Sequence, residues 1–223
     1  MMEGTAMNTI KRIACAVICA LLLMGLLCAC GEQMEAAVFT EQAMAARMTG
    51  KAGEEYQKLA GLSAEEVKKA FEQTLLDEAD VFASYFDIDL KQCSDGIRTR
   101  IVEMYRTLLA KGKYETGVFT RSGDSYLVSL TITPMDIVKQ VREQDWQQFQ
   151  RDWVADYDIL YEMEQAEMEE EWAARILALF EAHMDSIGYL EPETISIQIV
   201  RQDGGYRISE TDIERIDTLI VKY

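Results

Sequence analysis

Apolar residues recur at helical spacing through the first half of the chain. Residues 34–60 are rich in Ala, Met and Glu, and they predict a longer helix and then a shorter one that Gly61 caps. Ser63 and Glu66 have the spacing of a capping box and open a third helix. A fourth helix ends at Gly112, and its apolar face consists of Ile97, Ile101, Met104, Tyr105 and Leu108.

The period then changes from 3.6 to 2, which is typical of strands. Alternating stretches flank turns at 122–124 and 203–205, so each predicts a β-hairpin. Thr133 and Pro134 have the residue types of an N-cap and a first helical position, and Ser209 indicates a further helix start. The alternating apolar positions are Tyr126, Val128, Leu130 and Ile132, then Ile195, Ile197 and Ile199, then Tyr206 and Ile208.

The segment 134–187 between the hairpins contains no Gly, and no Pro after Pro134. As one helix it would span about 80 Å at about 1.5 Å per residue, which is too long for a compact domain of this size. We therefore expect two helices with a bend near 152–158, or an arm that projects from the body. The order of elements predicts an α+β domain: N-terminal helices packed on a curved antiparallel sheet of about four strands, with this long helical insertion between the hairpins.

The N-terminus has the layout of a secretory signal peptide. A charge-free run over 13–29 follows Lys11 and Arg12 and is short for a membrane span, which needs about 20 apolar residues. An uncleaved anchor helix is the alternative. Glu3 is unusual in such a basic segment, so translation could begin at Met7 in place of Met1 or Met2.

The end of this run, Leu27-Cys28-Ala29-Cys30, resembles the lipobox of bacterial lipoprotein precursors. The resemblance implies that the Cys30 thiol receives a diacylglyceryl group and that the signal peptide, 1–29, is removed before it. Cys28 departs from the usual residue at its position, and as the lipidated residue it would place bulky Leu27 before the cut. Residues 30–33 would then form the lipidated terminus and a short tether, and 34–223 a single domain at the extracytoplasmic face of the cell membrane.

Composition narrows the choice of partners. The net charge of −17 argues against nucleic acid and against anionic lipid surfaces, so we expect the lipid on Cys30 alone to hold the protein at the membrane. Cys93 is the one cysteine outside the N-terminal segment, so no intramolecular disulfide is expected. The expected role of Cys93 is that of a partly buried structural thiol, and the alternative role is that of a nucleophile.

The order of helices and hairpins, with the closing Gly-Gly-Tyr-Arg-Ile strand at 204–208, is similar to the cystatin-like or nuclear-transport-factor-like cone. The resemblance implies helices packed on the concave face of a bent sheet. Such a concave face would offer an apolar pocket. Its lining would be Tyr126, Val128, Leu130, Ile197 and Ile199.

The sequence contains no motif that predicts catalysis, a cofactor or a metal. His183, the single histidine, sits near a predicted helix end, where a structural or surface role is the default. Six glutamates lie within 162–171; calcium binding is one interpretation, a solvated helix face is the preferred one, and recruitment of a basic partner is a third.

An aromatic stripe at helical spacing is the remaining candidate. Such a stripe usually packs inward, but any exposed part of it would form a recognition surface. The function that we expect is a non-enzymatic binding or interaction module for a protein or a small apolar ligand. The alternatives are an enzyme that uses carboxylates or tyrosines in a cone-shaped pocket, and an inhibitor or envelope-structural protein. The residues of the candidate recognition surface are Trp146, Phe149, Trp153 and Tyr157.

Overall fold

The structure, a computed structural model, describes residues 34–223, apart from the side chain of Tyr157. The predicted signal peptide (1–29), the predicted lipidation site Cys30 and the tether (30–33) lie outside the described residues. Within the described range, no helix has both the length and the apolar character needed to cross a membrane.

Helices come first in the chain, as the sequence predicts. The helices before the sheet are α1 (34–49), α2 (Glu54–Ala60), α3 (Ala64–Tyr85) and α4 (Asp95–Ala110). Between the hairpins lie α5 (Ile137–Gln140), a π-helical turn (Val141–Asp145), α6 (Trp146–Ala155), α7 (Tyr157–Leu160) and α8 (Gln165–His183). The last helix is α9 (Glu210–Ile220).

The sheet consists of β1 (Lys113–Ser122), β2 (Ser125–Thr133), β3 (Glu193–Gln202) and β4 (Gly205–Ile208), in that spatial order and antiparallel throughout. The two hairpins and the α+β class are therefore confirmed. The alternation did not predict a β-bulge in β1, where Gly117 and Val118 together stand opposite Ser129.

One face of the sheet is buried beneath the helices. The inward residues of β2 and β3 belong to a single apolar cluster, and α9 packs across both strands. Buried aromatic rings join α3 to α8 in the same cluster, with the ring centroids of Phe82 and Phe180 5.0 Å apart. The outward residues, such as Ser196 and Gln198, face solvent, which explains the period of 2.

The helix that was predicted to begin at Thr133-Pro134 begins at Ile137 instead. Residues 134 and 135 stay outside the helix because distant backbone groups bind them. The N–H of Met135 donates to the carbonyl of Ile220 at 3.0 Å, and the N–H of Leu190 donates to Pro134 at 2.9 Å. These long-range hydrogen bonds satisfy the groups that a local N-cap would have served.

The insertion 134–187 folds back on itself. A helical stretch over 137–155 is interrupted at Asp156, and α8 returns beside it. Arg175 donates to Asp156 at 2.8 Å, and His183 pairs with Asp145 at 2.5 Å, so the two helices run antiparallel. The bend falls within the predicted interval, and the segment is not a projecting arm. The residues that bury α8 in the core are Ala173, Ile176, Leu177 and Phe180.

Candidate functional site

The apolar lining that was predicted on the concave sheet face is buried. The five predicted lining side chains are at most 5% exposed and pack into the main core, so the space where a cone would be open is filled. The prediction of a pocket there is wrong, because these side chains belong to the packed apolar cluster and α9 lies across β2 and β3. The side chains concerned are Tyr126, Val128, Leu130, Ile197 and Ile199.

An open pocket lies to one side of that core, where α1, α2 and α3 meet β4. Its cavity volume is about 170 Å³, and its walls are mainly apolar. The residues that line it are Phe39, Ala43, Ala46, Arg47, Tyr56, Leu62, Val67, Ala70, Phe71, Thr74, Tyr206, Arg207, Ile208 and Ile213.

Local sequence signals place the pocket walls. Gly61 adopts a left-handed conformation (φ 62°) that ends α2, and the Ser63 capping box starts α3 two residues later. A close backbone approach brings β4 against α2, since a Cβ at Gly205 would lie 2.5 Å from the carbonyl oxygen of Ala60. Only a glycine allows strand and helix to meet at this distance.

Aromatic rings form one wall of the pocket. The Phe39 ring stacks on Tyr56 with centroids 5.6 Å apart and lies 5.7 Å from Tyr206. Burial raises the pKa of Tyr56, although the guanidiniums of Arg207 and Arg47 oppose the rise. Burial also raises the pKa of Tyr206 to about 12, and its hydroxyl donates to Glu35 at 3.2 Å. Both phenols are therefore neutral hydrogen-bonding groups at physiological pH.

Two guanidiniums stand at the pocket, and their partners differ. Arg47 makes a bidentate ion pair with Asp217 of α9, with Nε 2.6 Å from Oδ1. Arg207 donates through Nη1 to the carbonyl oxygens of Ala60 and Tyr206, the latter at 2.8 Å. Arg47 is thus neutralised by a carboxylate, whereas the acceptors recorded for Arg207 are neutral.

A buried carboxyl group lies within electrostatic range of the pair of Arg47 and Asp217. Glu78 on α3 is 8% exposed, and burial first and Asp217 second raise its pKa to about 7. Tyr223 lies close to this group, and its hydroxyl makes a short contact with that of Tyr105. Glu78 is not among the described residues that line the pocket.

The structure brings three of the four predicted stripe residues together. Phe149 is buried, while Trp146 and Trp153 are half-buried; the side chain of Tyr157 lies outside the described residues. Trp172 of α8 completes the cluster, with its ring centroid 5.0 Å from Phe149 and 4.9 Å from Trp153. Its indole N–H donates to the carbonyl of Phe86 at 2.9 Å. The three described stripe residues, Trp146, Phe149 and Trp153, therefore form a packed contact between α6 and α8.

Part of the acidic run has a structural task. Glu170 accepts hydrogen bonds from the backbone N–H and the hydroxyl of Ser94, at 2.6 and 2.7 Å, and Glu169 accepts from the N–H of Asp89 at 2.6 Å. The prediction of a merely solvated helix face is wrong for these two carboxylates, because they hold the loop between α3 and α4. Among the described residues, no group of three or more His, Cys, Asp or Glu side chains has the arrangement of a metal site.

Cys93 contacts the acidic run, whereas His183 lies elsewhere on α8. Cys93 is half-buried, and burial together with Glu169 and Glu170 raises the pKa of its thiol to about 11. The thiol is therefore protonated at neutral pH, which opposes nucleophilic chemistry. His183 joins α8 to Asp145 at the start of α6, as its position near a helix end suggested.

Sequence reasoning missed the pocket at α1, α2, α3 and β4. The walls of this pocket come from segments more than a hundred residues apart, so no local sequence pattern predicts the pocket. One signal was present: small residues occupy the facing positions of α1 and α3, namely Ala43, Ala46 and Ala70. Small side chains on two adjacent helices leave a gap where larger residues would have filled it.

Comparisons with known proteins identify a similar fold. A scan against protein-family models finds no match, and no curated protein matches the sequence. Among solved structures, the chain is similar to YcdA of Bacillus subtilis, a protein provisionally classed as a lipoprotein, with 14% identity and a TM-score of 0.55. The match covers 79% of this chain and 52% of the other, so it spans about half the length of that protein. At this identity, the likeness establishes a shared fold.

Proposed function

We propose that this protein is a membrane-anchored extracytoplasmic lipoprotein whose folded body binds a small apolar or amphipathic ligand. The site is the pocket among α1, α2, α3 and β4. The observation that carries the binding function is this cavity of about 170 Å³, which stays open beside a core that is otherwise filled. Largely apolar cavities with a few convergent polar groups are the usual form of small-molecule sites.

The anchor is proposed from the sequence Leu27-Cys28-Ala29-Cys30. The fold likeness to a protein provisionally classed as a lipoprotein supports it. A diacylglyceryl group supplies two acyl chains, and each buried methylene contributes about 0.8 kcal/mol to membrane binding. With a net charge of −17, the protein body would not add attraction to an anionic bilayer.

An enzymatic role is the second candidate, and one observation favours it. Glu78 has a pKa raised to about 7, which suits a general base. Its carboxyl group, however, is not part of the pocket lining in the described chain. A substrate in the pocket would therefore have no direct contact with it, and binding is the better supported function.

The anchor is tested by Cys30→Ala in the native host, with Cys28→Ala as the matched control. The Cys30→Ala protein should keep its signal peptide or leave the membrane fraction, whereas Cys28→Ala should be processed and lipidated normally. Intact mass of the membrane-bound protein measures both properties. Normal lipidation of Cys30→Ala with its loss in Cys28→Ala would move the anchor to Cys28.

The pocket is tested with the full-length protein in lipid nanodiscs and a neutral probe, 3-phenylpropan-1-ol. Thermal unfolding is followed by tryptophan fluorescence; all three tryptophans lie at the α6–α8 contact, away from the pocket. The probe should raise the melting temperature of the wild type. Ala70→Phe, which fills the pocket mouth from an exposed position, should abolish this rise.

The control is Ala182→Phe, at an exposed alanine of α8. It should keep the wild-type response, and it also corrects for partition of the probe into the lipid. An equal response of wild type and Ala70→Phe would contradict the proposed pocket.

A further inference from the structure

We propose that the pocket selects small carboxylates, with an apolar group the size of a phenyl ring inside the cavity and the carboxylate on Arg207. This inference rests on the proposed binding function and deepens it by naming the ligand class. It combines three features of the site: its volume, its aromatic wall, and the different pairing of its two guanidiniums.

The volume limits the apolar part of the ligand. A cavity of about 150 Å³ lined by apolar side chains accommodates benzene, and the cavity here is about 170 Å³. It is therefore large enough for one aromatic ring or a short branched acyl group, and too small for a long acyl chain. The rings of Phe39, Tyr56 and Tyr206 provide a wall against which the aromatic ring of the ligand would pack.

The charge arrangement limits the polar part. Arg47 is saturated by its bidentate contact with Asp217. Arg207 uses Nη1 for two carbonyl oxygens, and across residues 34–223 no carboxylate lies within ion-pair distance of it. Its Nε and Nη2 groups form the edge of a guanidinium that binds a carboxylate through two parallel hydrogen bonds.

The nearby acids are engaged elsewhere. Glu66 is close enough for Arg207 to help lower its pKa, but its carboxylate is bound by the N–H and hydroxyl of Ser63 in the capping box, both at 2.7 Å. Glu35 accepts from Tyr206. In a protein of net charge −17, a pocket arginine that has no carboxylate partner among residues 34–223 is a specific feature, and an anionic ligand group would complete it.

The experiment compares two probes of nearly equal shape, 3-phenylpropionate and 3-phenylpropan-1-ol, on the full-length protein in nanodiscs. Dissociation constants are measured by ligand-observed NMR, with Ala70→Phe as the blank. We expect the carboxylate to bind the wild type at least tenfold more tightly than the alcohol. Arg207→Gln should remove this preference, read as the ratio of the dissociation constants of the two probes for the same variant. Arg98→Gln, at an exposed ion pair with Asp80, should preserve the preference.

The outcomes separate this inference from the proposed function. Equal binding of the two probes by the wild type would overturn the carboxylate preference while the pocket stands. Binding of neither probe above the Ala70→Phe blank would overturn the pocket as well. The comparison of the two probes on the wild type tests the preference even if Arg207→Gln fails to fold. Arg207→Lys is a second variant at the same position. Since lysine keeps the charge but loses the paired donors, it should retain only part of the preference.

Discussion

Arg47 and Asp217 form a bidentate ion pair across 170 positions of sequence, and this pair joins α1 to α9. Their side chains are only 18% and 24% exposed. Arg47 also lines the pocket, and both members of the pair act electrostatically on the buried carboxyl group of Glu78. One contact thus links the first and last helices of the described chain and takes part in both the pocket wall and the surroundings of a buried acid.

Removal of this pair should destabilise the protein more than removal of an exposed one. Arg47→Ala leaves Asp217 and Glu78 without their common cation, so we expect a loss of about 2–3 kcal/mol in the free energy of unfolding. Arg98→Ala, which breaks the exposed pair with Asp80, should cost less than about 1 kcal/mol. Urea unfolding of both variants measures the difference. Equal losses would mean that the pair of Arg47 is as well solvated as that of Arg98.

Glu78 should make stability fall as the pH rises. Its pKa is 4.5 as an ordinary glutamate and about 7 in the folded protein, so between these values the folded state holds a proton that the unfolded state has released. The free energy of unfolding should therefore decrease from pH 4.5 to 7 and show no further contribution from this group above pH 7. Glu78→Gln should be more stable than the wild type at pH 8, by about 1–3 kcal/mol.

The matched control for this prediction is Glu72→Gln on the same helix. The Arg106 guanidinium lowers the pKa of Glu72, so this carboxylate stabilises the fold when ionised, and its removal should reduce stability at pH 8. Chemical unfolding of both variants at pH 5 and pH 8 measures the two signs. A Glu78→Gln protein with the wild-type pH dependence would show that Glu78 ionises normally in the fold.

Glu170 should restrain the loop between α3 and α4. Glu170→Ala removes the two hydrogen bonds to Ser94, so local opening should become about 1 kcal/mol easier, which is about fivefold in population. Hydrogen exchange at the Ser94 amide measures this change. Glu167→Ala, at an exposed site on the same helix, should leave that exchange rate unaltered. Equal exchange rates in both variants would mean that the interpretation of the acidic run as a solvated helix face holds for Glu170 as well.

The aromatic stripe should contribute to folding through Phe149. Phe149→Ala removes a buried ring from the contact with Trp172 and should cost about 2–4 kcal/mol. Val154→Ala, at a residue of α6 that is 70% exposed, should change stability by less than about 0.5 kcal/mol. Thermal unfolding monitored by circular dichroism compares them, since each 1 kcal/mol shifts the melting temperature by about 2–4 °C. Unchanged stability of Phe149→Ala would favour a purely recognition role for the stripe.

Local patterns predicted most elements because their causes are local. The capping box of Ser63 and Glu66, the end of α2 at Gly61 and the alternation in β2 depend on residues within a few positions of one another. The predicted start of α5 was wrong because its cause is not local. Met135 and Pro134 bind backbone groups of Ile220 and Leu190, which no local pattern specifies.

The sequence by itself determined the α+β order, the two hairpins, the acidic charge and the residues on which the lipid anchor is proposed, since periodicity, turn chemistry and composition act over short distances. Only the tertiary structure decided where the chain leaves space. The sheet face that was predicted as a pocket is filled by helices, and the open cavity lies where the alanines of α1 and α3 meet Arg207 of β4. Cavities arise where packing between distant segments is incomplete, and which side chains face one another is decided only when the chain has folded.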